Sequence, residues 1–297
     1  MRAKLICFCA MLLCAAVLLS ACGSGAAPAS GDGAGSDTAP DAGTLLHVHC
    51  FSAGKADAFL LYTGQSAVLI DCGEKGFGKE ILAFLEAEGI QKLDALIITH
   101  FDKDHVGGAA RVLNNFPVDT VLQSNYPKDS EEYEKYCTAL ANAGLEAVTV
   151  GETLDFTLDG VRYTVDPPRK QSYSADPSNN SSLIVAVRNG ENSLLFTGDS
   201  QDARLAEFLS GDWGSFDVLK VPYHGHAQPL LQELIAAVAP SLAVITSSDA
   251  EPEDPETLAL LDAAGAEVWL TREGAVDLLC DGVTVTASRG ASEALAA

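Results

Sequence analysis

The sequence predicts a mixed α/β fold made of two β-sheets with helices on their outer sides. Strand-like apolar runs crowd the opening of each half of the chain, from residue 45 and again from residue 147. Helix and strand patterns alternate only later in each half. A doubly wound parallel sheet would alternate from the start. Several strand-like runs also end on a residue able to bind a cation or a proton, namely Asp71, His100, Asp199 and His224. Side chains at strand ends are held by a rigid scaffold and face a cleft built by loops.

The N-terminus is expected to lie outside that fold. Arg2 and Lys4 precede an apolar run over residues 5–19, too short for a comfortable membrane span and laid out like a signal peptide. Leu19-Ser20-Ala21-Cys22 resembles the lipobox of bacterial lipoproteins, which implies cleavage before Cys22 and acylation of that cysteine. Residues 1–21 are therefore expected to be a lipoprotein signal peptide, with an ordinary secretory peptide as the alternative; both imply export. Residues 22–43 hold Gly, Ala, Ser, Pro and Asp without an apolar period and predict a flexible tether carrying the lipidated Cys22. Residues 44–290 are expected to form one large domain, followed by a small-residue tail at 291–297.

Acidic residues outnumber basic ones 41 to 18, for a net charge of −23. Non-specific affinity for nucleic acid comes from Lys and Arg neutralising phosphates, so so acidic a chain gains little of it. Docking on an anionic membrane by charge is disfavoured for the same reason. A locally basic groove stays open, and bound cations would offset part of the acidity. Past Cys22 the cysteines are Cys50, Cys72, Cys137 and Cys280, with no C-x-x-C pair to suggest a zinc ribbon or redox motif. Cys50 and Cys72 end strands that can be neighbours, so a disulfide and two buried thiols are both open.

Taken in order, residues 45–51 predict a strand, and 58–63 with 66–70 predict a hairpin through Gly64-Gln65. Ile81, Leu82 and Leu85 mark an amphipathic helix over 78–89 with Gly89 at its end. Residues 93–99 read as a buried strand, 107–115 as a helix and 118–123 as a strand after Pro117. A second amphipathic helix covers 130–143, with short strands at 147–150, 153–156 and 161–165. Residues 169–178 are polar and predict a loop; 182–188 and 193–197 flank the turn Asn189-Gly190 as a hairpin. From there the prediction alternates: helix 201–209, strand 218–221, helix 230–238, strand 242–246, helix 255–264, strand 267–271, and two closing strands.

The densest chemistry is Thr99-His100-Phe101-Asp102-Lys103-Asp104-His105, followed by Val106-Gly107-Gly108. A strand ending in this pattern is expected to point alternate side chains into one spot, with the Gly pair allowing close backbone packing as a helix begins. Imidazole nitrogens and carboxylate oxygens suit Zn, Mn or Fe. His47 and His49 share one face of the first strand and are expected to be structural, and Lys103 to be solvated. No G-x-S-x-G or paired nucleophile supports a Ser–His–Asp or Cys–His mechanism.

In order along the chain, these motifs resemble the metallo-β-lactamase-like hydrolase superfamily. Within it they are most similar to the soluble domain of ComEC-type competence DNA-uptake proteins. Gly54-Lys55-Ala56-Asp57-Ala58 matches that family's G-Q-G-D-A element with two changes, and Leu69-Ile70-Asp71-Cys72-Gly73 matches the next motif. Asn179-Asn180-Ser181-Ser182-Leu183 and Leu195-Phe196-Thr197-Gly198-Asp199 match its hairpin pair. Leu219-Lys220-Val221-Pro222-Tyr223-His224-Gly225-His226 matches its last metal motif, usually His-His-Gly-Ser, so Tyr223 and His226 depart from it. The His-Pro usually found just before the closing helix–strand unit is missing.

The resemblance implies a four-layer αβ/βα sandwich and two adjacent divalent ions, Mn or Zn. His100 and Asp102 would hold one, Asp104, His105 and His224 the other, with Asp199 between them. The wider superfamily has a His at the position of Asp102 and another where Asn180 aligns. An oxygen-rich first position favours a harder ion such as Mn, or weak binding. Asp71 and Asp57 are expected to orient histidine ligands from behind. Asp104, His226 and Asn180 are the catalytic candidates. His226 would donate a proton to the leaving group or else be only a loop histidine, and Asn180 and Ser181 would bind substrate oxygens or form a turn.

The function expected is an exported, metal-dependent phosphodiesterase or nuclease, acting on a small phosphodiester, nucleotide or nucleic acid. It would be extracytoplasmic and touch the membrane through its lipid anchor alone. No protein partner is inferable. Acyl or amide cleavage on the same fold is one alternative, and a non-catalytic surface binding lipoprotein is another.

Overall fold

The structure is a computed structural model that describes residues 44–290. The expected signal peptide, Cys22, the tether and the 291–297 tail lie outside the described residues. The fold opens with β1 (Leu46–Cys50), β2 (Phe59–Tyr62), β3 (Ala67–Ile70), α1 (Gly78–Ala87) and β4 (Leu93–Ile98). The single turn α2 (Lys103–Val106), α3 (Ala109–Asn115), β5 (Val118–Gln123), α4 (Glu131–Ala143) and β6 (Val148–Thr149) follow. The second half brings β7 (Leu154–Leu158), β8 (Val161–Asp166), β9 (Ile184–Asn189), β10 (Asn192–Phe196) and α5 (Asp202–Leu209). Next come β11 (Val218–Lys220), α6 (Leu231–Val238), β12 (Leu242–Ile245), α7 (Pro255–Ala263), β13 (Glu267–Leu270), β14 (Val276–Cys280) and β15 (Val285–Arg289).

These strands form two sheets, in the orders β15-β14-β1-β2-β3-β4-β5-β6 and β13-β12-β11-β10-β9-β8-β7. Period-two alternation builds the space between them. Leu46, Val48 and Cys50 of β1 join Val185 and Val187 of β9 and Phe196 of β10 in one inter-sheet core. Phe59 meets Phe196 across the gap with ring centroids 5.1 Å apart. β4 is apolar on both faces because both are covered: Ala95 and Ile97 enter the inter-sheet core, while Leu96 and Ile98 pack under α1, α3 and α4. A third cluster seats α5, α6 and α7 on the outer face of the second sheet. The layers run helix, sheet, sheet, helix, which is the αβ/βα sandwich expected.

The parallel pairs decide where the site lies. β3 runs parallel to β4, and β10 parallel to β11, so Asp71 and His100 leave one edge together, as do Asp199 and His224 on the other sheet. Leu183 N–H donates to Thr99 O at 2.9 Å and ties the two edges to each other.

Two local expectations are corrected. The helix expected over 107–115 begins earlier and in two pieces, with α2 inside the motif itself. Asp104 and His105 therefore reach the site from a helical turn and not as alternate residues of an extended strand. Gly107 and Gly108 then lie so close to the β3–α1 connection that a Cβ on Gly108 would sit 2.2 Å from Cys72 O. Cys50 and Cys72 are both free, since Cys50 faces the inter-sheet core and Cys72 the helix-covered side. Among the described residues no helix is long and apolar enough to cross a membrane.

Candidate metal centre

Asp104, His105, Asp199 and His224 are all buried and offer ligand atoms within 4.8 Å of one another. His105 Nε2 lies 3.3 Å from Asp199 Oδ1, and His224 Nε2 lies 3.2 Å from Asp199 Oδ2 and 3.5 Å from Asp104 Oδ2. His100 packs against His105 with ring centroids 4.1 Å apart and places Nε2 4.0 Å from both Asp199 Oδ2 and Asp102 Oδ1. The Nε2 atoms of all three histidines and Asp199 Oδ1 are buried without a hydrogen-bond partner. Buried polar atoms left unpaired are costly, and here they converge on one place. That convergence, with mixed imidazole and carboxylate donors, fits a divalent cation.

The far side of each imidazole explains how the near side is aimed. Asp71 accepts from His105 Nδ1 at 2.8 Å, from Thr99 N–H at 2.8 Å and from the Thr99 hydroxyl at 2.6 Å. Its backbone is left-handed, with φ +56. His224 Nδ1 donates to Thr246 O, with the Thr246 hydroxyl also at 3.0 Å, and that hydroxyl donates to Asp57 Oδ1 at 2.6 Å. Asp57, Asp71 and His105 also cluster tightly. Those two acids are already spent on Lys220, Thr246 and Thr99, so we assign them to holding the imidazoles and not to a second ion.

Charge within the cluster is strongly coupled. Burial and the neighbouring His105 push His100 down to about 4, so this imidazole is neutral at physiological pH. Burial would lower His105 and His224 too, but the surrounding carboxylates, Asp199 foremost, raise both above the ordinary histidine range. Burial alone would raise Asp199 and Asp104; the histidines outweigh it and hold both below the usual carboxylate range.

Residues 52–246 match the metallo-beta-lactamase superfamily. The chain belongs to that superfamily. Among curated relatives it is 30% identical over 210 residues to Recombination protein 2 of Haemophilus influenzae, covering 69% of this chain and 24% of that protein. It is 32% identical over 175 residues to ComE operon protein 3 of Bacillus subtilis, covering 57% and 22%. This chain thus spans about a quarter of the length of those relatives. Among solved structures the metallo-beta-lactamase fold protein YhfI from Bacillus subtilis aligns with a TM-score of 0.52 at 15% identity, over 82% of this chain and 100% of that one. The CmlA beta-hydroxylase E377D mutant aligns with a TM-score of 0.52 at 17% identity, over 76% and 52%. At such identities the likeness is one of fold.

Within this superfamily site the structure does not gather every sequence candidate. The Asn180 amide donates to Ala175 O at 3.0 Å and accepts from Arg204 N–H at 2.9 Å, so it braces the loop before β9 against α5. His226 is partly exposed, 3.6 Å from Asp254 and tilted against the Tyr223 ring, and is not part of the quartet. His49 pairs with Asp277 at 2.5 Å and stacks on Phe84, and His47 stacks on Tyr62. Lys103 is exposed, with its ammonium 3.7 Å from Glu74. A cavity of about 490 Å³ beside Tyr62 and Lys92 contains none of the cluster.

Four contributors escaped the sequence reading. Ser182 Oγ accepts from Asp199 N–H at 3.2 Å and lies 3.4 Å from His100 Nδ1. Lys220 is fully buried, 2.5 Å from Asp57 and 3.8 Å from Asp199. A lysine inside a short apolar strand was the available signal, because a buried ammonium needs a carboxylate partner. Arg204 is buried without exposure and bonds Asp166 Oδ2 at 2.6 Å and Ser182 O at 3.0 Å. Lys55, where the family motif has Gln, brings its ammonium 3.4 Å from Asp104.

Proposed function

We propose that this chain is an exported, lipid-anchored hydrolase of the ComEC-like branch, cleaving phosphoric diesters with two divalent ions, Mn or Zn. The observation that carries the proposal is the convergence of the unpartnered His100, His105 and His224 Nε2 atoms on Asp199 at the joined sheet edges. Asp104, His105, Asp199 and His224 would hold one ion; His100, Asp102 and Asp199 would face the other. Such ions, when bound, supply a nucleophilic water at neutral pH and stabilise charge on a phosphoryl oxygen.

The protein's own groups do the rest. Asp71 and the Thr246–Asp57 pair fix the tautomer and aim of His105 and His224. Lys55, with a side chain 19% exposed and its ammonium 3.4 Å from Asp104, offers a cation beside the cluster, suited to an anionic substrate. Asp102 where the superfamily has a histidine makes the site richer in oxygen than a lactamase zinc site, which favours Mn and phosphoryl chemistry. The net charge of −23 favours a short diester or nucleotide over a long nucleic acid. Export and the anchor are supported by the signal-like residues 1–21 and the lipobox-like Cys22.

The test is turnover of bis-p-nitrophenyl phosphate, single-stranded DNA and nitrocefin by the purified chain with Mn and with Zn. Diester cleavage that requires metal, disappears in His224→Ala, and falls roughly 10–100-fold in Asp71→Asn is expected. Nitrocefin cleavage alone would establish the acyl or amide alternative. Metal uptake without turnover of any ester would establish a binding protein.

A further inference from the structure

Asp102 differs from the other carboxylates of the centre in what it touches. Asp104 and Asp199 face histidine Nε2 atoms, with ammoniums only at longer range, Lys55 3.4 Å from Asp104 and Lys220 3.8 Å from Asp199. Asp102 instead receives the Lys128 ammonium and the Ser178 hydroxyl, both on Oδ1. That is the same oxygen that lies 4.0 Å from His100 Nε2. Two ligands each about 2.1 Å from one ion lie at most about 4.2 Å apart, so His100 and Asp102 are spaced to share a cation. The oxygen that would complete the share already carries an ammonium.

We propose that Lys128 competes with a divalent ion for Asp102, so that the two metal positions fill unequally. The quartet of Asp104, His105, Asp199 and His224 fills first; the His100–Asp102 position fills only when Lys128 leaves the carboxylate. Charge sets the direction, since an ammonium touching a ligand oxygen repels an incoming divalent ion at close range. Space permits the exchange. The Lys128 side chain is 35% exposed and lines a cavity of about 400 Å³ that also contains Asp129 and Asp176, two carboxylates that can receive the displaced ammonium.

Orienting contacts behind a metal-binding carboxylate strengthen metal binding. If Lys128 served that purpose, its removal would weaken the second ion; if it competes, removal tightens it. The sign of the change therefore decides. The inference rests on the two-ion reading of the site.

The experiment titrates Mn and Zn into the metal-stripped full chain by calorimetry, with bound metal counted after equilibrium dialysis. Wild type should take up one ion tightly and a second weakly. Lys128→Met should tighten the second by about tenfold or more and leave the first unchanged. Lys128→Arg should resemble wild type, and Ser178→Ala should tighten the second ion by a smaller factor. Circular dichroism and melting establish that each variant is folded. A second ion unchanged or weakened in Lys128→Met overturns the proposal, as do two equally tight ions in wild type. A wild-type chain that takes up no ion overturns the two-ion reading and the proposal with it.

Discussion

His105 shows how much of the site is settled one residue at a time. Three carboxylates, Asp199, Asp71 and Asp57, surround its ring, and they outweigh burial in raising its proton affinity. His224 is raised in the same way. An ion must displace those protons, so metal uptake should release protons and strengthen as pH rises. Calorimetry in buffers of different ionisation enthalpy measures the release; binding that is independent of pH from 6 to 8 would contradict it. His100, held near 4, should contribute none. Arg204 matters for a different reason: its guanidinium is the buried partner of Asp166 and also bonds the backbone at Ser182, next to Asp199. Arg204→Met leaves Asp166 Oδ2 buried without its partner, while Arg169 stays 3.0 Å from Oδ1, and should cost about 1–3 kcal/mol. Melting should drop accordingly. Arg204→Lys should recover only part, because one ammonium cannot reproduce the forked contacts.

At the scale of elements, the turn α2 is the piece that carries Asp104 and His105 into place. It is pinned from both sides: His105 O accepts from Cys72 N–H at 2.8 Å, and Asp104 O from Asp57 N–H at 3.0 Å. Gly108 permits this seat, as an added Cβ would fall 2.2 Å from Cys72 O and 2.8 Å from Gly78 N, both backbone atoms that cannot swing aside. Gly108→Ala should therefore lower both the melting temperature and the metal affinity. Gly151→Ala, where a Cβ meets nothing within 4 Å, serves as the neutral control. Equal effects of the two substitutions would rule out the close-packing account. The left-handed residues at Tyr223, His224 and Gly225 do comparable work after β11, turning the chain sharply so that His224 faces Asp199.

Across the whole molecule, the centre joins two sheets that local sequence leaves independent. The residues that could hold a metal come from both: His100, Asp104 and His105 from the first, Asp199 and His224 from the second. A cation held between them favours the folded state by mass action, about 2.7 kcal/mol at a free concentration one hundred times its dissociation constant. Adding Mn or Zn should raise the melting temperature and a chelator should reverse it. Asp199→Asn should abolish most of the shift. A shift that persists in that variant would place the ion elsewhere on this acidic surface.

By itself the sequence determined the alternation of strands and helices and the two-sheet class, because those depend on local periodicity; the four residues of the quartet were named through the resemblance of its motifs, and the structure brings their side chains together. The sequence also separated His47 and His49 from the chemistry. The helical turn inside the motif was hidden, since Lys103-Asp104-His105-Val106 is too short to show a helical period. Only the tertiary structure decided which acid stands behind which histidine, why Asn180 braces α5, and where Lys55, Lys128, Ser182, Arg204 and Lys220 find partners. Those contacts join residues far apart in sequence. They follow from how two sheets pack and how loops close over their common edge, and no spacing along the chain encodes that.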